Sequence, residues 1–135
     1  MASNRLWRDR IYKTVILDSS SILMLFEYSI DLEGELSRLL GSYKIFVPKP
    51  IVNELKNLSI AGKGKKKINS KAALKLIKKY ETIDITHKKG DEAIIDIASK
   101  LDCIVVTNDK QLKRQLKKIS ISTVFIRGKQ KLEIE

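Results

Sequence analysis

The chain has 135 residues, 43% of them hydrophobic and 32% charged, and a formal net charge of +11 at pH 7. This length is typical of one domain, so we expect a single domain over residues 1–135. A small, strongly basic protein favours a polyanionic partner, most commonly nucleic acid. The alternative is a lysine-rich surface that only solvates the protein.

Several classes of protein are excluded by composition. Cys103 is the only cysteine, so the chain forms no internal disulfide, and its apolar surroundings favour a buried structural thiol. His87 is the only histidine, and this count excludes a zinc site built from cysteine and histidine. The first ten residues carry charges where a signal peptide needs an apolar stretch. The longest apolar run, residues 22–26, is too short for a membrane span. We therefore expect a cytoplasmic protein without a membrane partner.

The first predicted elements are two strands with two helices between them. Residues 14–17 are apolar without alternation, which is typical of a strand buried on both faces in a parallel sheet. Helices are predicted over 20–27 and 32–40, and Gly41 ends the second. Residues 44–47 form the next strand.

Two prolines then mark a change from strand to helix. Pro50 is well placed to open a helix. Residues 59–67 contain two glycines and four lysines, which predicts an exposed loop and the most mobile segment of the chain. A helix is predicted from about 69 to 80.

Strands and helices alternate through the rest of the chain. The predicted elements are a strand at 82–85, a helix opened by Gly90 and Asp91, strands at 103–106 and 123–126 separated by a helix from Asp109, and an edge strand at 131–134. This alternation is typical of βαβ units. We expect an α/β fold with three α/β/α layers and a mostly parallel central sheet of about five strands.

Four acids follow strands or open helices in this pattern. Asp18 ends the first strand, and Asp109 follows strand 103–106. If these strands are neighbours, both carboxylates face one crevice beyond the carboxyl ends of the sheet. Asp91 starts a helix at the same edge, and Glu54 lies about one turn into the helix after Pro50.

Each acid also has a purely structural interpretation. Asp91 and Asp109 are placed where helix N-caps occur, and Glu54 alone is an ordinary solvated helix residue. Asp18 is harder to explain in this way, because a carboxylate that closes a buried strand is costly unless a metal ion, a lysine or backbone N–H groups pair with it.

Together, four carboxylates at one sheet edge repel each other unless a cation lies among them. Mg²⁺ and Mn²⁺ prefer oxygen ligands. Such an ion polarises a phosphoryl oxygen, which suits phosphodiester hydrolysis. The site could use one ion or two. Ser20 and Asn108 supply a hydroxyl and an amide able to orient ligand or water, although Ser20 is equally well placed to cap a helix.

These residues, in this order, resemble the motifs of the PIN-domain ribonucleases over residues 14–127. The matching residues are Asp18 with Ser20, Glu54, Asp91, and Thr107 with Asp109. The resemblance implies an endoribonuclease that depends on Mg²⁺ or Mn²⁺. It implies that the four acids are catalytic metal ligands and that Thr107 supports the site.

Within that family, the lysine-rich segment after Glu54, residues 108–114 and the C-terminal residues resemble the small archaeal and eukaryotic branch that processes pre-ribosomal RNA. This implies ribosomal RNA or its precursor as substrate. The sister branch, the VapC toxins, shares the same acids and implies an antitoxin partner. Dimers are common in the family, so a homodimer is one possible oligomeric state. A non-catalytic RNA-binding protein is an alternative function.

Two basic segments flank the acids along the chain. Residues 62–80 hold eight lysines and no acid, and residues 110–118 hold five basic residues and no acid. A solvated charged face explains either segment alone, but the presence of both favours contact with the phosphates of RNA. The residues predicted to bind RNA are Lys63, Lys65, Lys66, Lys67, Lys113 and Arg114.

Overall fold

The structure, a computed structural model, describes residues 12–86 and 89–135. The expectations about the first ten residues and about His87 concern residues outside these ranges. No helix within the described ranges is long and apolar enough to cross a membrane.

One six-stranded sheet forms the centre of the described molecule, with strand order β3-β2-β1-β4-β5-β6. The strands are β1 Lys13–Leu17, β2 Tyr43–Pro48, β3 Glu81–Ile83, β4 Ile104–Val106, β5 Thr123–Arg127 and β6 Lys131–Ile134. The first five are parallel to their neighbours, and β6 is antiparallel to β5. The mostly parallel α/β sheet is therefore confirmed. It has one strand more than the expected five because the edge segment pairs along its whole length.

Six helices connect and cover the strands in the described part of the chain. They are α1 Ser19–Glu27, α2 Leu32–Leu40, α3 Lys49–Ala61, α4 Lys65–Ile77, α5 Gly90–Lys100 and α6 Lys110–Lys118. Val15, Ile16 and Leu17 are consecutive in β1, and each is fully buried. Because consecutive strand residues point to opposite faces, helices must cover both faces of the sheet.

The expected loop over residues 59–67 is wrong. Helix α3 continues to Ala61 and α4 begins at Lys65, so only residues 62–64 connect them. Gly62 allows a close approach, since a Cβ there would lie 2.3 Å from the carbonyl oxygen of Leu58. Gly64 has φ +59, in the left-handed region that glycine adopts without strain. The lysines that suggested a loop are good helix formers, and they build the first turn of α4 instead.

Cys103 is buried, as expected for a structural thiol. Only 5% of the residue is exposed. Burial, with a contribution from the charge of Asp102, raises the pKa of its thiol to about 11. The thiolate, which is the reactive form, is therefore disfavoured near neutral pH.

Candidate active site

The site lies where the strand order reverses. Strand β1 is paired with β2 on one side and β4 on the other, and Leu17 is in register with Val106. The backbone N–H of Asp18 continues this pairing by donating to the carbonyl oxygen of Val106 at 3.1 Å. The carboxyl ends of β1 and β4 therefore meet at one edge, which is where ligands bind in open α/β sheets.

A cleft of about 470 Å³ opens at this edge, and all four predicted acids line it. The remaining residues that line it are Ser19, Ser20, Pro50, Asn53, Asn57, Lys89 and Gly90. The start of α5 packs closely against α3, because a Cβ on Gly90 would lie 2.4 Å from the Ile51 side chain. This close approach, which only glycine permits, brings Asp91 to the same cleft as Glu54.

Asp18 is a largely buried carboxylate held by two hydroxyl groups. The residue is 8% exposed. Its Oδ2 accepts hydrogen bonds from Ser20 Oγ at 2.7 Å and from Thr107 Oγ1 at 2.9 Å. Burial raises the pKa of Asp18, and the charge of Glu54 raises it further, while the hydrogen bonds oppose both. The buried charge that the sequence left without a partner thus has two hydroxyl donors.

Ser19 is a site residue that the sequence analysis missed. Its Oγ donates a hydrogen bond to Glu54 Oε2 at 2.6 Å, and the residue is buried. This bond fixes the Glu54 carboxylate relative to the end of β1. The only sequence signal was the position of Ser19 directly after Asp18, and nothing local indicates a partner on another helix.

The two helix-cap alternatives have opposite outcomes. Asp109 is the N-cap of α6, with Oδ1 accepting from the backbone N–H groups of Gln111 at 2.9 Å and Leu112 at 3.1 Å. Asp91 is not a cap, because α5 begins at Gly90 with Lys89 in the N-cap position. Asp109 therefore combines a capping bond with a place in the cleft.

Ser20 lines the acidic cleft, whereas Asn108 does not. Ser20 lies inside α1, where its hydroxyl donates to the Asp18 carboxylate and does not cap the helix. Asn108 does not line the cleft. Its Nδ2 donates to the carbonyl oxygen of Ile126 at 3.2 Å, and its Oδ1 accepts from the Ile126 N–H at 2.8 Å. This bond pair ties the amide of Asn108 to β5, and the expectation that Asn108 orients ligand or water stays a prediction.

Comparison with known proteins identifies the family. Residues 15–129 match the family described as PIN like domain. The chain belongs to the PIN-like domain family. The matched residues run from the middle of β1 to the β5–β6 turn and include every residue that lines the cleft.

Individual relatives agree with the PIN-like assignment. Ribonuclease VapC4 of Methanocaldococcus jannaschii is 34% identical over 128 residues, covering 92% of this chain and 97% of the relative. Ribonuclease VapC9 of Archaeoglobus fulgidus is 28% identical over 128 residues, covering 95% and 93%. Among solved structures, the PIN domain endonuclease Utp24 superposes with a TM-score of 0.77 at 27% identity, covering 90% of each chain.

The donor atoms in the PIN-like cleft suit a hard divalent cation. They are carboxylate, hydroxyl and amide oxygens, the ligand types that Mg²⁺ and Mn²⁺ prefer. Within residues 12–86 and 89–135, no three acid, cysteine or histidine side chains are arranged to hold one ion. The four-carboxylate convergence expected from sequence is therefore not present in these side-chain positions. The set still fits Mg²⁺, which is usually bound by one or two carboxylates and several waters.

The predicted RNA-binding lysines of this PIN-like domain fall into separate places. Lys65 and Lys66 line a cleft that adjoins the acidic one, near exposed Lys63 and half-buried Lys67. Lys113 and Arg114 line a groove beside α6. A cation that the sequence analysis did not single out, Lys89, lines the acidic cleft itself.

Lys113 is already engaged by neighbouring groups. Its Nζ lies 3.0 Å from a Glu135 carboxylate oxygen and 3.9 Å from the centre of the Phe125 ring. These contacts offset part of the charge available to a phosphate, so Lys113 is the less free member of the predicted pair.

Proposed function

We propose that this PIN-like domain is an endoribonuclease that depends on a divalent cation, Mg²⁺ or Mn²⁺. The observation that carries the proposal is the cleft at the β1–β4 edge, which is lined by carboxylates from four separate parts of the chain. Two relatives named ribonucleases, each aligned over nearly the whole chain, support RNA as the substrate.

One or two of the four acids would hold the cation directly, and the others would reach it through water. When bound, the cation polarises the phosphoryl oxygen and lowers the pKa of water. The chain's own hydroxyl groups orient the carboxylates, with Ser20 and Thr107 holding Asp18 and Ser19 holding Glu54. These bonds limit the rotation of the Asp18 and Glu54 carboxylates.

The variant Asp18→Asn tests the proposal with little change in shape. We expect cleavage of single-stranded RNA in Mg²⁺ or Mn²⁺ buffer to fall at least about 100-fold, since even groups that only support metal ligands cost 10- to 100-fold. The thermal midpoint should not fall, because the amide removes a buried charge and retains one acceptor oxygen. Asp102→Asn, at an exposed acid away from the cleft, is the matched control and should cleave like wild type.

Metal binding gives a second readout that does not depend on activity. We expect titration of the protein with Mn²⁺, followed by electron paramagnetic resonance, to show binding to wild type and to Asp102→Asn but much weaker binding to Asp18→Asn. Undiminished cleavage and Mn²⁺ binding by Asp18→Asn would contradict the proposal. Tight RNA binding by wild type without metal-stimulated cleavage would favour a non-catalytic RNA-binding protein.

A VapC-type ribonuclease is the better supported of the two branches. Both curated relatives carry the VapC name, whereas neither is named for ribosomal RNA processing. We therefore propose a VapC-type ribonuclease, with an antitoxin as its protein partner. Processing of ribosomal RNA or its precursor is the second candidate, since the basic segments resemble that branch.

Expression in a host cell separates the two candidates. A VapC-type toxin should arrest growth when expressed alone, and Asp18→Asn should relieve the arrest. A processing nuclease should leave growth intact and should produce defined ends in ribosomal RNA precursors, mapped by sequencing of RNA termini. A neighbouring reading frame for a small DNA-binding protein would further support the toxin assignment.

A further inference from the structure

A second cleft adjoins the acidic one. It has a volume of about 450 Å³ and lies between α1, α3 and α4. The two clefts share Ser19, Ser20 and Glu54, so they adjoin along these three residues and a chain bound at the carboxylates lies next to this space. The volume is within the range of pockets that hold small organic ligands.

The walls of this second cleft differ sharply from those of the first. Leu23 and Met24 from α1 and Leu58 from α3 form a half-buried apolar surface. Lys65 and Lys66 also line the cleft and are exposed on the first turn of α4. The cleft thus offers an apolar surface and two positive charges within one space.

Asn69 adds a hydrogen-bonding group to this wall. Its side chain lines the cleft one turn after Lys65 and Lys66. The Asn69 carboxamide makes no hydrogen bond within residues 12–86 and 89–135. A carboxamide offers one acceptor and two donor hydrogens, the combination that recognises the edge of a base.

We propose that this second cleft binds the nucleotide next to the scissile phosphate and gives the nuclease a base preference. The base packs against Leu23, Met24 and Leu58. Asn69 reads the edge of the base, and Lys65 and Lys66 contact the adjoining phosphate. This inference rests on the proposed function, because it takes the substrate to be single-stranded RNA that crosses the carboxylates.

The charges around the cleft favour a nucleotide over an acidic peptide segment. Glu27 and Glu54 also line it, so a ligand with several negative charges is repelled on that side. A nucleotide carries one negative charge per phosphate and an uncharged base. A bound nucleotide can place its phosphate near the lysines and its base on the apolar surface, so it matches both the charged and the apolar residues of the cleft.

The test measures kcat/KM for short oligoribonucleotides that differ only in the base on either side of one cleavage site. We expect wild type to discriminate among the bases and Asn69→Ala to reduce the ratio of best to worst base by about 5- to 100-fold. Gln130→Ala, which removes an exposed amide in the turn before β6, is the matched control and should keep the wild-type ratio. Thermal melting confirms that each variant is folded.

A binding experiment separates failure of the cleft from failure of the nuclease assignment. Asp18→Asn protein is photo-crosslinked to an oligonucleotide with 4-thiouridine next to the cleavage site, or at every position in turn if wild type shows no cleavage. Crosslinks on residues 23–24 or 58–69, weakened by Lys65→Ala/Lys66→Ala but not by Lys71→Ala/Lys75→Ala, support the cleft. Lys71 and Lys75 are exposed on the same helix and do not line the cleft.

Three results would overturn the base-binding role. One is an unchanged base preference in Asn69→Ala, and another is crosslinking confined to other surfaces. The third is a purified complex in which a protein partner protects this cleft while RNA binding is unaffected. If one of these results is obtained and Asp18→Asn still abolishes cleavage, the base-binding role is wrong but the nuclease assignment is retained.

Discussion

At the scale of single residues, Thr107 links two of the proposed catalytic acids through one hydroxyl group. Its Oγ1 donates to Asp18 Oδ2 at 2.9 Å and accepts from the backbone N–H of Asp109 at 3.1 Å. The residue is fully buried, so no water replaces a lost hydrogen bond. Thr107 therefore ties the end of β1 to the end of β4, and we propose that it positions the two acids.

Thr107→Val tests this link because it keeps the shape of the side chain and removes the hydroxyl. We expect the free energy of unfolding to fall by about 1–3 kcal/mol, since a buried carboxylate oxygen and an N–H group each lose a partner. We also expect kcat/KM to fall at least about 10-fold, and Thr107→Ser to restore most of both. Urea denaturation and RNA cleavage give the two values. A valine variant equal to wild type in both would show that the link is dispensable.

At the scale of the element, Asp109 connects helix stability to the site. It caps α6 through two backbone N–H groups and also lines the acidic cleft. A carboxylate at a helix N-terminus is favoured by the helix dipole as well as by these bonds. One side chain thus has a structural and a proposed catalytic role, which a single alanine substitution cannot separate.

A pair of substitutions at Asp109 separates the two roles. Asp109→Ala should lower the free energy of unfolding by about 0.5–2 kcal/mol through the lost cap. Asp109→Asn should change stability little, because asparagine caps helices about as well as aspartate. Both should lose cleavage if the negative charge is needed. Full activity in the asparagine variant would mean that Asp109 acts only as a cap.

At the scale of the whole molecule, the chain combines a net charge of +11 with a cleft lined by carboxylates. Under the proposed function, the positive charge attracts the RNA backbone, and the acidic cleft takes a cation together with the phosphate. We therefore expect binding and cleavage to respond differently to ions. Added monovalent salt should weaken RNA binding. Added divalent cations, at constant ionic strength, should increase RNA cleavage.

The salt dependence of RNA binding measures how many basic residues contact phosphates. For single-stranded RNA, we expect log Kobs to fall linearly with log salt concentration, by about 0.7 for each phosphate contacted. Lys113→Ala/Arg114→Ala should reduce the slope by up to about 1.4 if both contact RNA, and by less if Glu135 keeps Lys113 engaged. Fluorescence anisotropy supplies the measurement. An unchanged slope would show that Lys113 and Arg114 do not contact the RNA phosphates.

Much of the fold was predictable because its signals are local. Unbroken apolar runs predicted β1 and β4, and their length and composition indicated strands buried on both faces. The loop expected at 59–67 failed because two glycines and several lysines have more than one structural meaning. The packing of α4 against α1 and α3 favours a helix in this segment. The local sequence pattern does not reveal that contact.

The sequence by itself determined the order of strands and helices and the placement of Asp18 and Asp109 after strands, since parallel strands present their carboxyl ends at one edge. Only the tertiary structure decided which side chains meet there. Ser19 and Glu54 are 35 residues apart, Thr107 and Asp18 are 89 apart, and Asn108 and Ile126 are 18 apart. The periodicity of a helix or strand extends over a few residues, so it carries no information about such pairs. Long-range packing alone places a serine on Glu54 and turns Asn108 away from the cleft.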